Sequence, residues 1–378
     1  MNHIKGALRG NMLTSQQFDS LTQPIVDLYR EFEDQIINDI ARRIGNMSFS
    51  SAAWQAQRLS ESGMLYEDIL ERISKITGKS ESILRQTFEE AGVRAMKFDD
   101  SIYIKAGLQP VPLNLSPSMI SVLKAGLTKT NGIMQNLTMT TALSGQSAFI
   151  NAADLCYMEI STGSMGYDQA IRKAVKNLAS QGINTVSYGK RTDFVDVSVR
   201  RATLTGVAQT TADLQLTRAG ELGSDLLEMS AHAGARPSHQ LWQGKIFSIS
   251  GTSKKYPPFV ESTGYGSVTG YAGANCRHSA YPFIEGYSQR NYTQKQLDEI
   301  NNKTVSFNGK EISQTDASQI QRSLERNVRK YKREASALES AGIDNSIELS
   351  MVRKYQGQLR SFVKETGLYR QPAREVIN

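Results

Sequence analysis

Cysteine is nearly absent from this chain: Cys156 and Cys276 are the two in 378 residues. Two thiols exclude a disulfide framework and point to a reducing compartment. Long apolar runs are missing too. None approaches the roughly 18 residues of a spanning helix, so no membrane contact is expected. The stretch 1–13 carries Lys5 and Arg9 but no apolar centre, which does not read as a signal peptide. Neither sign of charge dominates: 44 Lys and Arg against 37 Asp and Glu leave a net charge of +7 and a pI near 9.2. That balance suits a polyanion partner but is mild for a dedicated DNA binder. The expectation is a soluble protein made in the cytoplasm.

What is present is, first, helical periodicity. Between Leu21 and Ile44 apolar residues recur as Ile25, Leu28, Phe32, Ile36, Ile40 and Ile44, one stripe of an amphipathic helix with Pro24 in its first turn. The plain reading is packing on a neighbouring helix; the sharper one is that Ile25, Leu28, Phe32, Ile36 and Ile40 dock a partner protein. Gly45, Gly63 and Gly78 punctuate the next stretch of chain as helix ends do, and Ser80 reads as the cap of another helix to Ala95. Gly78-Lys79-Ser80 mimics the end of a phosphate-binding loop, but Ile73 stands where its first glycine is needed. Asp99-Asp100 with Pro110, Pro112 and Pro117 predicts a linker, its acid pair hydrated.

Helix resumes over Met119–Thr162, Tyr167–Gln181 and Val197–Gly220, with a hairpin or extended loop around Gly189-Lys190-Arg191. Strands are expected at Leu226–Ser230, Lys245–Ser250 and Ser279–Ile284, and a turn at Phe307-Asn308-Gly309. Two last helices are expected over Ser313–Ser340 and Glu348–Thr366. The first carries Arg322, Arg326, Arg329, Lys330, Lys332 and Arg333, either as a solvated face or as a surface for nucleic-acid phosphates. The fold class is therefore α+β, helical at both ends around a small sheet. The expected divisions are 1–97, helical; 98–118, linker; 119–220, helical; 221–290, an α+β core continuous with 185–220; and 291–378, a basic helical region.

The residues that carry chemistry crowd into Glu228–Phe283. Three of the four histidines lie there, as His232, His239 and His278, with Arg236, Trp242, Asn275, Cys276 and Arg277. Such groups cost most when buried without partners, so packing them together demands a network or a site. His232, His239, Cys276 and His278 are the right atoms for zinc, but their spacing fits no familiar finger or ribbon. A thiolate–imidazole pair of Cys276 with His278 is the catalytic alternative. The favoured expectation is a polar clasp of neutral histidines and forked arginines around Trp242 and Phe247, with no catalytic residue, cofactor or metal. Gly264, Gly266 and Gly270 match no dinucleotide fingerprint and serve turns.

These residues also carry a resemblance. Ser230-x-His232, Arg236-Pro-x-His239-x-x-Trp242-x-Gly244-Lys-x-Phe247 and Gly273-x-Asn275-Cys276-Arg277-His278 with Pro282 resemble the domain of phage Mu F-like minor head proteins. More closely, they resemble the phage minor capsid protein 2 group, as do the Ile25–Ile44 stripe and Gln321-Arg322-x-Leu324-Glu325-Arg326-x-x-Arg329. Many relatives have Cys-Arg-Cys where this chain has Cys276-Arg277-His278, which removes a two-thiol disulfide or metal pair here. The resemblance implies a virion component inside a tailed-phage head, assembled in the host cytoplasm. Its implied partners are the portal protein, major capsid or scaffolding proteins, and the double-stranded phage DNA. It implies roles in head assembly and in genome packaging and ejection. The competing class is a metal- or thiol-dependent enzyme, nuclease- or transferase-like, delivered with the genome.

Overall fold

The computed structural model describes residues 14–49, 53–183, 186–188 and 191–377. Long helices form the body: α1 (Ser15–Asn46), α2 (Ala53–Lys105), α3 (Pro117–Ser161), α4 (Tyr167–Gln181) and α5 (Val195–Glu221). A hairpin of β1 (Val186–Tyr188) and β2 (Arg191–Asp193) lies between α4 and α5. The expected centre of the hairpin, Gly189-Lys190, falls outside the described residues. The class is α+β, as expected.

Helix α1 begins on a capping box. Thr14 Oγ1 accepts the Gln17 N–H at 3.3 Å, and the Gln17 side chain accepts the Thr14 N–H at 2.8 Å. That start puts Pro24 inside the helix rather than in its first turn. Ile25, Val26, Tyr29, Phe32, Ile36, Ile37, Ile40 and Ile44 are all at most 1 % exposed, so α1 is a central strut packed against α2, α3, α5 and the later helix Gln314–Ser340. The docking expectation for Ile25, Phe32, Ile36 and Ile40 is thereby corrected: the chain's own core covers them, and Leu28 packs half-buried against it. Exposing four such side chains would cost roughly 6–12 kcal/mol.

A second correction concerns α2. Gly63 and Gly78 do not end helices; both lie inside one 53-residue helix, where an added Cβ would meet nothing. The buried row Leu65, Ile69, Ile76, Leu84 and Phe88 holds the helix together past them. Ser80 is buried mid-helix, 3.4 Å from Tyr29 Oη, and caps nothing. The expected linker is also shorter. Residues 98–105 are the last turns of α2, with Phe98, Asp99 and Tyr103 buried, and the irregular stretch is 106–116. Asp99 is not hydrated: Gln215 of α5 donates to it at 2.9 Å, and burial pushes its carboxyl well above the usual range. Arg218, also on α5, holds Asp100 at 2.9 Å.

The small module comes after α5. Strands β3 (Leu226–Met229), β4 (Ile246–Ser248) and β5 (Ala280–Pro282) make an antiparallel sheet in the order β4-β3-β5. Leu227 stands between Phe247 and Pro282 across the ladders. Pro282 is tolerated because β5 is an edge strand. The sheet leans on the bundle through Tyr281, edge-on to Phe98 at 6.0 Å, and through a Gln215 hydrogen bond to the Ala280 carbonyl. Short helices α6 (Pro237–Gln240) and α7 (Phe259–Thr263) lie in its long connections.

Beyond the sheet come α8 (Gln294–Asn301) and a hairpin of β6 (Thr304–Phe307) and β7 (Lys310–Ser313). Its turn uses Asn308 and Gly309, both at positive φ (51° and 71°), the geometry that matches strand twist. Helices α9 (Gln314–Ser340) and α10 (Ser346–Thr366) pair with each other, and α9 returns to α1 and α4.

That return carries the third correction. Arg333 is buried, donating to Asp34 of α1 at 2.8 Å with Glu33 at 3.5 Å. Arg329 holds Asp196 of α5 at 3.0 Å, and Arg30 of α1 reaches the same carboxylate at 3.4 Å. Arg322 is half-buried, facing Arg200, Arg374 and Asp19. Of the six expected DNA-facing cations, Arg333 is therefore a core residue and Arg329 an internal clamp. Arg326 and Lys330 are exposed, and Lys332 is half-exposed.

Candidate functional site

Three side chains of the small module converge. His239 lies in the last turn of α6, and Cys276 and His278 lead into β5; all three are 2–4 % exposed. His239 Nδ1 lies 3.4 Å from His278 Nδ1. Cys276 Sγ lies 3.7 Å from His278 Nδ1 and 4.0 Å from His239 Nδ1. Alternate residues of an extended segment share a face, so Cys276 and His278 point together. The intervening Arg277 turns away to Asp19 of α1, at 3.1 Å.

Two loops set this geometry. Arg236 caps the turn carrying His239, and its guanidinium donates to the Ala274 carbonyl at 2.7 Å, drawing the Cys276 loop against α6. Asn275 is not a member of the polar clasp: its side chain is exposed, and it contributes a left-handed backbone (φ 58°) that bends the chain just before Cys276. Trp242 fills the floor, with ring centroids 4.6 Å from both His239 and His278 and 6.2 Å from Tyr271. Gly244, at φ 68°, lets Leu297 approach so closely that an added Cβ would sit 2.3 Å from its methyl. His232 is half-buried and lies against His278 with the rings tilted by 32° and centroids 4.3 Å apart.

Gln243 was not singled out from the sequence, although it stands four residues after His239 on the same turn. Its side-chain oxygen accepts the His232 backbone N–H at 3.1 Å and lies 2.9 Å from His278 Nε2; its amide nitrogen donates to Asn301 at 2.6 Å. Glu228 was missed as well. It is 1 % exposed in β3, takes the Asn291 backbone N–H at 2.8 Å, and burial pushes its carboxyl up to about 7.

Burial also pushes the Cys276 thiol up and the His239 imidazole down, and holds His278 well below its usual range. A reactive cysteine needs the opposite shifts and an open approach. The cluster can orient, brace or bind a metal, and nucleophilic attack by Cys276 is disfavoured. An open cleft of about 490 Å³ lies elsewhere, between α3 and α4, lined by Leu143, Ser147, Asn151, Leu155, Asn177 and Gln181. No helix among the described residues is long and apolar enough to cross a membrane.

Long helices bolted together by buried ion pairs, with a compact knotted module set against them, describe an architectural protein. The comparisons agree. The phage minor capsid protein 2 family matches residues 13–364, and the chain belongs to that family. It is 25 % identical over 344 residues to a structural protein of Lactococcus phage LL-H, covering 85 % of this chain and 88 % of the relative. A structural protein of Lactococcus phage mv4 is 37 % identical over 130 residues, 32 % of this chain and 93 % of that protein. No solved structure matches. A structural component of a phage particle is the function this supports.

Proposed function

We propose that this minor capsid protein sits inside the head of a tailed phage, beside the portal protein. There it supports head assembly and the packaging and ejection of the genome, without catalysis of its own. Major capsid or scaffolding proteins complete its surroundings, and the host cytoplasm is where it assembles.

The observation that supports DNA contact is where the charge lies. The central network sets Arg30, Arg329 and Arg333 against Asp27, Glu33, Asp34 and Asp196. Part of the positive surplus is half-buried, where Arg200, Arg277, Arg322 and Arg374 gather about Asp19, and part lies at the surface, with Arg326 and Lys330 exposed on α9. A surface surplus facing packed phosphates lowers the cost of confining DNA and predicts a salt-dependent, sequence-independent affinity.

Portal contact cannot use the α1 stripe while the bundle is folded. Deletion of the N-terminal helices is accordingly a poor test, since it removes the core. The sound test adds purified, folded chain to portal assemblies and measures co-sedimentation. Binding to portal rings supports the reading, and failure to bind them, with heads assembling normally in its absence, overturns it.

A further inference from the structure

We infer that His239 Nδ1, His278 Nδ1 and Cys276 Sγ are ligands of a structural zinc ion that ties α6 to the strand β5. The inference stands on the hydrogen atoms. Thr269 presents a backbone carbonyl 2.9 Å from His239 Nε2, an acceptor with no proton of its own, so that nitrogen carries hydrogen. At His278 the partner is Gln243, whose side-chain oxygen also accepts the His232 backbone N–H. Flipping the Gln243 amide would set its NH₂ against that N–H, donor on donor. The oxygen therefore faces His278, and His278 Nε2 must donate.

With both Nε2 atoms protonated, each neutral ring presents a bare Nδ1 lone pair. The two lone pairs face each other at 3.4 Å, and the one nearby thiol has a single hydrogen for both. A soft dication relieves the conflict without a charged imidazole. Cys276 gives up its thiol proton to solvent on binding, and both histidines bind neutral.

The spacing fits. Zinc at about 2.05 Å from nitrogen and 2.3 Å from sulfur, in a tetrahedron, separates two nitrogens by about 3.3 Å and nitrogen from sulfur by about 3.6 Å. The corresponding distances here are 3.4 Å, and 3.7 and 4.0 Å. The three ligand atoms form the convergent metal-binding set found among the described residues. His232 lies outside that set, but its Nε2 is buried without a hydrogen-bond partner, an atom that a fourth coordination bond would satisfy. Thr269 and Gln243 act as the outer partners that fix ring orientation in metal sites. With all three ligands at most 4 % exposed, no substrate reaches a fourth position, which makes the ion structural.

The test uses the full chain. Zinc is measured by mass spectrometry on protein purified without chelator, and zinc-free protein is then titrated with cobalt(II) under reducing conditions. The expected results are about one zinc per chain and, with cobalt, a thiolate-to-metal charge-transfer band in the near ultraviolet. Cys276→Ser should lose the band, and Cys156→Ser, which alters the other cysteine, should keep it. Gln243→Leu should weaken metal affinity by about tenfold or more. A folded, metal-free wild type that gives no such band overturns the inference, as does loss of the band in Cys156→Ser. If Cys276→Ser does not fold, the wild-type and Cys156→Ser spectra decide alone.

Discussion

Replacing Arg333 with alanine separates the inner cations from the outer ones. Arg333 lies within 4 Å of both Asp34 and Glu33, and its ring-face contact with Phe194 lies at 4.9 Å. Asp34 and Glu33 are 2 % and 0 % exposed, and burial already pushes Glu33 up to about 7, so the variant chiefly takes a countercharge from Asp34. Breaking a buried pair by removing one partner costs about 3–5 kcal/mol. Unfolding entropy of about 2.1 cal/mol/K per residue, over a chain of this length unfolding as one unit, converts 4 kcal/mol into a fall in Tm of about 5 °C. Calorimetry measures it. The double variant Arg333→Ala with Asp34→Asn should recover part of the loss, because one stranded charge is gone. DNA affinity at fixed salt should barely move in the folded variant. An unchanged Tm with a clear loss of DNA affinity would refute the reasoning, since it would make Arg333 the surface residue that its sequence neighbours suggest.

The same structure sets further outcomes. The carboxyl of Glu228 is raised to about 7 in the fold, above the usual 4.5, so its contribution is full below pH 4.5 and is lost as pH rises through 7. Glu228→Gln should therefore stabilise the protein at pH 8 relative to wild type, by at most about 3 kcal/mol, with the difference fading towards pH 5 in denaturant titrations. Gly126 of α3 meets Thr210 of α5 so closely that an added Cβ would lie 1.9 Å from its hydroxyl, and Gly206 stands likewise 2.2 Å from that of Thr130. Gly126→Ala should lower stability by about 1–3 kcal/mol, read as a shifted denaturation midpoint, and a neutral result would mean that the two helices can part freely. Arg326→Ala with Lys330→Ala should flatten the dependence of DNA affinity on salt, by nearly two units of log–log slope if each meets one phosphate; an unaltered slope removes α9 from the DNA surface.

Much of this architecture could be read from residue periodicity, and the failures have physical causes. Helix α4 was legible end to end because Ala170, Ile171, Ala174, Val175 and Leu178 mark one face and Gly182 stops it at φ 70°. The strands of the module were found to within a residue or two because short apolar runs lie between glycine-rich turns. Helix α2 was broken up in prospect at Gly63 and Gly78, since local propensity cannot show that distant helices hold a chain straight past an exposed glycine. The stripe on α1 announced burial but not what buries it, and a stripe of isoleucines reads alike whether its cover is another protein or the same chain. The clamp partners were less visible still: Arg333 and Asp34 are 299 residues apart. At the cluster, residue types and proximity to Trp242 were evident. The facing lone pairs depend on Gln243 and on the Thr269 carbonyl, and spacing alone does not place either.

The central claim is that this chain is an internal, portal-proximal part of the particle. The direct measurement is a cryo-electron-microscopy reconstruction of the intact virion without imposed icosahedral symmetry, comparing wild type with particles whose chain carries a compact C-terminal tag. The account predicts tag density on the inner side of the vertex that holds the portal. Tag density on the outer shell, or full heads from which the chain is missing, would contradict it.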